Sequence, residues 1–234
     1  MTLKVPYLRR RDRVTSRIIS QSEQQRSERS LSGDGIGDIE LGFHHQFQRT
    51  SPSMPYLIAN VVFKAPTGLS PFEVDRDERG LAEELPTGSG FWSVEPSVTA
   101  IFRSDPAVLY GSLGYTWNIR DDVRESVMTG AGPRRIGTVD PGDAIGLGFG
   151  MGLSLNETTS FSLGYSHRYV TRTQFELDTF GRTNPLHIGA FQFGLSSRLS
   201  NRTAFNMTLS LGVTEDAPDV RLNVRVPLTF RIFD

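Results

Sequence analysis

The sequence predicts an all-β fold: an antiparallel up-and-down transmembrane β-barrel with about ten strands. Three observations carry this reading. Apolar residues recur at alternate positions through most of the chain, the connections between these ribbons alternate between short and long, and aromatic residues gather near ribbon ends. Successive strand side chains point to opposite faces, so such alternation makes a ribbon with one apolar and one polar face.

In order, the apolar sets begin with Leu3, Val5, Tyr7 and continue with Ile39, Leu41, Phe43, His45, Phe47. Leu57, Ala59, Val61, Phe63 form the next ribbon, and Trp92, Val94, Val98, Ala100, Phe102 the one after. Leu109, Leu113, Tyr115, Trp117 follow a tight turn. The cleanest set is Ile145, Leu147, Phe149, Met151, Leu153, Leu155, opposite Gly146, Gly148, Gly150, Gly152 and Ser154. Then come Phe161, Leu163, Tyr165, His167, Tyr169; Phe191, Phe193, Leu195, Leu199; and Phe205, Met207, Leu209, Leu211, Val213. In the last ribbon Leu222, Val224, Val226, Leu228, Phe230 and Ile232 oppose Arg221, Arg225 and Arg231. Pro6, Pro96 and Pro227 interrupt ribbons; a proline cannot donate to a ladder, so bulges or strand ends are expected there.

Short polar connections run over 49–55, 104–107, 156–159 and 200–203; long ones over 9–35, 65–90, 119–142 and 171–185, with a shorter last one at 215–219. In outer-membrane barrels short turns face the periplasm and long loops the exterior. Trp92, Trp117, Tyr115, Tyr165, Tyr169 and Phe47 then fall where amphipathic rings meet membrane interfaces.

Composition narrows the alternatives. The 234 residues, read as one domain (1–234), are 37% hydrophobic with a mean hydropathy of -0.28, low for a helical membrane protein. No run approaches the roughly 18 apolar residues of a membrane-spanning helix. A net charge of -1 argues against a nucleic-acid partner, and the lack of cysteine excludes disulfides and thiolate metal sites. A soluble β-sandwich is the main competing fold, and it predicts that Leu147, Phe149 and Met151 are buried by a second sheet.

Several stretches carry a family resemblance: LKVPYLR (3–9), GIGDIELGFHHQF (35–47), VVFKAPTG (61–68), PTGSGFWSV (86–94), LGYTWN (113–118) and DPGDAIGLGFGMG (140–152). Together they resemble the outer-membrane β-barrel family named for the meta pathway of phenol degradation, whose members are described as transporters. The resemblance implies a barrel of about twelve strands in the full-length protein, with a signal peptide and a first hairpin ahead of residues 3–9. The opening residues themselves lack the order of a secretory signal. It further implies a bacterial outer-membrane location and an open seam beside the C-terminal strand. Phe233 resembles the aromatic terminus that barrel assembly machinery recognises, and Asp234 departs from it.

The polar faces hold the candidate lumen-lining residues Asp38, Glu40, Lys64, Glu95, Arg103, Arg168, Arg198, Arg221, Arg225 and Arg231. Charges at barrel-strand positions must meet water or each other. They form an interior ion-pair network, a permeation path with acids early and arginines late, or both; Arg221, Arg225 and Arg231 are expected opposite acids such as Glu40 or Glu95. The glycines opposite the belt relieve crowding or leave room for a solute, the former favoured. Ser166 and His167 are adjacent and point apart, so no catalytic pair forms within the strand.

The chain is therefore expected to be a channel or transporter for passive uptake of small hydrophobic or aromatic solutes, without catalysis or cofactor. A structural, non-conducting barrel, or a soluble β-sandwich binding module, is the alternative. Its partners are expected to be outer-membrane lipid and lipopolysaccharide, a small-molecule solute and the barrel assembly machinery. The run Arg9-Arg10-Arg11-Asp12-Arg13 would face anionic lipopolysaccharide if it lies outside.

Overall fold

The computed structural model describes residues 1–19, 24–48, 51, 54–77, 82–104, 106–129, 132–176, 183–200 and 203–227. Arg231, Phe233 and Asp234 lie outside them. The strands are β1 (Thr2–Lys4), β2 (Tyr7–Ile19), β3 (Gln24–Ile36), β4 (Ile39–Gln46), β5 (Tyr56–Ala65), β6 (Ser93–Ser104), β7 (Ala107–Asn118), β8 (Asp121–Thr129), β9 (Gly132–Asp140), β10 (Ala144–Ser154), β11 (Thr159–Val170), β12 (Gln174–Phe175), β13 (Leu186–Arg198), β14 (Ala204–Gly212) and β15 (Val220–Arg225).

Ten of them form one antiparallel sheet in the order β1-β4-β5-β6-β7-β10-β11-β13-β14-β15. These are the ten alternating ribbons, joined as an up-and-down meander. Among the described residues β1 and β15, the two ends of that order, are not paired with each other. Leu147, Phe149 and Met151 are 42%, 55% and 40% exposed, and Leu113 and Trp117 more than half. The soluble sandwich is thereby overturned: among the described residues no second sheet covers this face. The apolar side chains form an outward belt, the arrangement lipid requires.

The long connections differ from the loops expected of them. β2 and β3 form a two-stranded ribbon, and β12-β9-β8 form a three-stranded sheet. Their sequences, such as YLRRRDRVTSRII in β2, lack apolar alternation. The β2–β3 ribbon instead continues the ladder begun by β1 and β4: Lys4 pairs with Glu40, the Gly37 amide donates to the Pro6 carbonyl at 2.8 Å, and Tyr7 pairs with Ile36. One extra residue on the β3–β4 side makes a bulge that takes Asp38 out of the ladder.

Two of the three prolines sit just outside strands: Pro6 precedes β2, and Pro227 follows β15. Pro96 lies inside β6. It keeps its register with Val61 of β5, while the ladder to β7 stops at Val94–Trp117 and resumes, unshifted, at Ser97–Gly114. The missing proline N–H accounts for that gap.

Tight apolar packing sits away from the belt. Phe91, Val123, Ile136 and Val139 form a buried cluster, with Phe72 and Phe175 packed against it. Leu31, Val74 and Leu85, also buried, come from the same long connections. These segments form a cap at the long-connection end of the sheet.

Candidate functional site: the polar wall and its ion pairs

Strand register puts Glu40, Lys64, Glu95, Arg103, Arg168, Arg198, Arg221 and Arg225 on the face opposite the apolar belt. Asp38 joins them from its bulge. Arg231 cannot be placed, since it lies outside the described residues.

Three ion pairs gather near the cap. Lys4 Nζ meets Glu40 Oε1 at 2.9 Å across the β1–β4 ladder. Lys64 Nζ lies 3.4 Å from Asp38 Oδ2 and donates to Ser89 Oγ at 2.8 Å. Arg168 Nη2 donates to Glu95 Oε2 at 2.7 Å and to Thr116 Oγ1 at 3.2 Å, while Thr116 Oγ1 donates to the same carboxylate oxygen at 2.6 Å. Each cation has one acid, so the fixed charges of this region cancel.

The Arg168–Glu95 contact crosses two intervening strands, since β6 and β11 are separated by β7 and β10. The register explains how. Gly146 pairs with Arg168 on one side and with Gly114 on the other, leaving a floor without side chains beneath the guanidinium. A Cβ added at Gly146 would meet nothing within 4 Å. Here the glycine leaves space. Elsewhere it relieves crowding, as the sequence favoured: a Cβ at Gly150 or Gly164 would lie 2.5 Å from the Tyr110 hydroxyl, and one at Gly194 2.2 Å from Ser162 Oγ.

Asp38 ties the segment between β5 and β6 to the wall. Its Oδ2 accepts from the Ser89 amide at 2.9 Å and the Ser89 hydroxyl at 2.6 Å, and its Oδ1 from the Gly68 amide at 3.3 Å. Burial raises the cost of the charge, but the donations from Ser89 and Gly68 and the nearby Lys64 charge outweigh it, and the carboxyl is held below its ordinary range. Gly68 and Gly88 meet here backbone to backbone, too close for a side chain on either.

Between these groups lies a cavity of about 580 Å³, with Glu40, Lys64, Ser89, Glu95, Asn118 and Arg168 as polar lining and Val62, Phe91, Ala144 and Val170 as apolar lining. A second polar network crosses four strands below it: Thr2 Oγ1 to His44 Nε2 at 3.0 Å, His44 Nδ1 to Asn60 Oδ1 at 2.8 Å, and Asn60 Nδ2 to Ser97 Oγ at 3.5 Å.

The remaining sequence candidates lie apart from the cavity. Arg103, at the short-turn end, donates to the Tyr56 hydroxyl at 3.2 Å with its guanidinium 5.3 Å from that ring's centre. Arg198, Arg221 and Arg225 are exposed and form no ion pair among the described residues. The expected pairing of Arg221 and Arg225 with Glu40 or Glu95 is not what forms; Lys4 and Arg168 hold those acids. Ser166 Oγ accepts from Gln192, and His167 Nδ1 meets the Tyr165 hydroxyl on the other face, so the two residues do point apart. Sequence reasoning missed Ser89, Thr116 and Asn118. Ser89 lies in the long 65–90 connection, where the two glycines flanking one hydroxyl residue allow the close approach it makes.

The family model described as "Putative MetA-pathway of phenol degradation" matches residues 5–221. Among solved structures, the crystal structure of an outer membrane channel from Pseudomonas putida F1 matches with a TM-score of 0.68 and 15% sequence identity, covering 97% of this chain and 85% of that one. At such identity the likeness speaks for the fold alone: the two-faced antiparallel wall described above is shared with that protein.

Proposed function

The chain belongs to this MetA-pathway family of phenol degradation, and from that premise we propose that it is a bacterial outer-membrane β-barrel channel admitting small hydrophobic or aromatic solutes by passive diffusion. The observation that carries the reading is the pairing of an exposed apolar belt with a polar face that encloses a mixed polar and apolar cavity. The belt suits lipid, and the cavity suits a solute with an apolar body and one or two hydrogen-bonding groups.

The candidate residues take distinct parts. The pairs Arg168–Glu95, Lys64–Asp38 and Lys4–Glu40 form a charge-balanced cluster beside the cap. Arg103, Arg198 and Arg225 line the path toward the short-turn end and leave it cationic, while Arg221 sits at the other end of β15, beside the 215–219 connection. Solute crosses by exchanging its hydration for contacts with Asn118, Thr116 and Phe91, with no covalent step. Purified in detergent, the protein should show heat-modifiable gel migration, discrete conductance in planar bilayers and flux of small aromatics into liposomes. A protein that stays monomeric and stable without detergent contradicts the reading.

The cap core favours a second reading, a structural barrel that conducts nothing. That protein would share the migration and show neither conductance nor flux.

A further inference from the structure

On the outward face of the sheet, one line of side chains runs without a break from the apolar belt into the β2–β3 ribbon. Leu3, Val5 and Tyr7 are 65%, 56% and 69% exposed, and Arg9 and Arg11 follow at the next alternate positions of β2. Strand geometry spaces such neighbours about 7 Å apart on one face. Across the ribbon Tyr7 pairs with Ile36, Arg9 with Asp34 and Arg11 with Ser32. The intervening residues turn inward. Arg10 donates to the Pro86 carbonyl at 3.3 Å and lies 3.5 Å from Asp12, and the opposite strand packs Gly33 against Leu85.

The Arg9 and Arg11 guanidinium groups make no side-chain hydrogen bond or ion pair among the described residues. The nearest acid on their face, Asp34, accepts from the Tyr7 hydroxyl at 2.9 Å. Apolar residues, then an aromatic ring, then unpaired guanidinium groups make the order in which a membrane presents hydrocarbon, interface and phosphate. Guanidinium forks bind phosphate in two-point fashion.

We infer that Arg9 and Arg11 form a docking surface for the phosphate groups of lipopolysaccharide in the outer leaflet, with Tyr7 seated at the interface below them. Charge complementarity and continuity with the lipid-facing belt select this occupant. The inference rests on the proposed function in one respect: the long-connection end must face the cell exterior.

The test uses the full chain in detergent, titrated with rough lipopolysaccharide and, separately, with phosphatidylglycerol. The Arg9→Gln/Arg11→Gln variant should bind lipopolysaccharide about fivefold more weakly for each arginine removed, with phosphatidylglycerol binding little changed. Glu157→Gln, in the short turn at the opposite end, should bind both as the unaltered protein does. Equal lipopolysaccharide binding by the double variant overturns the inference, and so does a parallel loss for both lipids, which marks a general anionic surface. Heat-modifiable migration of each variant establishes that it is folded. Conductance is recorded in parallel: its absence in every variant counts against the channel and leaves the lipid result standing.

Discussion

Arg168 on β11 reaches Glu95 on β6 at 2.7 Å, over two strands whose intervening positions, Gly114 and Gly146, carry no side chain. Both side chains are more than a third exposed, so solvent screens the pair and its contribution to stability is at most about 1 kcal/mol. In the proposed channel its influence on permeating charge should exceed its influence on folding. Arg168→Ala leaves Glu95 without its counter-charge and should move the reversal potential in a salt gradient toward cation preference. Glu95→Gln should move it the other way, and the double replacement should lie near the unaltered protein. Identical reversal potentials in all four would remove these residues from the permeation path.

Asp38 supplies the pH dependence. Its carboxyl is held below the ordinary range in the folded protein, so its stabilisation is fully present above the ordinary carboxylate value. It is lost as pH falls through the lowered value. Hydrogen exchange at the Gly68, Leu69 and Ser89 amides should quicken over that acidic window. Asp38→Asn should show the faster exchange already near neutral pH, having lost about 2 kcal/mol of charge-assisted hydrogen bonding.

The glycines separate by what faces them. Gly150→Ala sets a Cβ 2.5 Å from both the Tyr110 hydroxyl and the Leu163 carbonyl, and should destabilise by about 1–3 kcal/mol in denaturant titrations of the folded barrel. Gly146→Ala, whose Cβ would meet nothing within 4 Å, should fold as stably as the unaltered protein. The reverse order of stabilities would contradict the wall geometry.

The apolar belt makes the simplest prediction. Phe149→Arg, at a position 55% exposed in mid-strand, should cost about 2–4 kcal/mol in a bilayer. Folded yield into lipid vesicles, scored by the heat-modifiable band, should drop sharply. In a soluble protein the same change at an exposed site would cost little.

How much of this was legible in the sequence depended on whether neighbours along the chain carried the information. The ten wall strands were, because Ile145 to Leu155 and its counterparts alternate visibly against glycine and polar residues. β2 and β3 were not: Arg, Ser and Gln dominate them, and they extend because β1 and β4 hand them a ladder to continue. The charged residues were recognisable one by one, whereas their partners were not. Lys4–Glu40 follows from a single strand pairing, but Arg168–Glu95 needs the order of four strands and the bare glycine floor. Lys64–Asp38 needs a bulge and a folded loop that brings Ser89 between them.

The cap core of Phe91, Val123, Ile136 and Val139 divides the molecule between two solvents. The wall's apolar belt derives its stability from hydrocarbon outside it, where urea has little purchase, while the cap is held by water's exclusion of its own interior. Urea should therefore melt the cap at concentrations that leave the ten-stranded sheet intact, exposing Phe91 and Phe72 before any wall strand separates. A membrane-embedded frame would then persist while the Asp38–Ser89 and Asp38–Gly68 hydrogen bonds that tie the cap to it open, so the strand ladder and the cap would answer to different solvents.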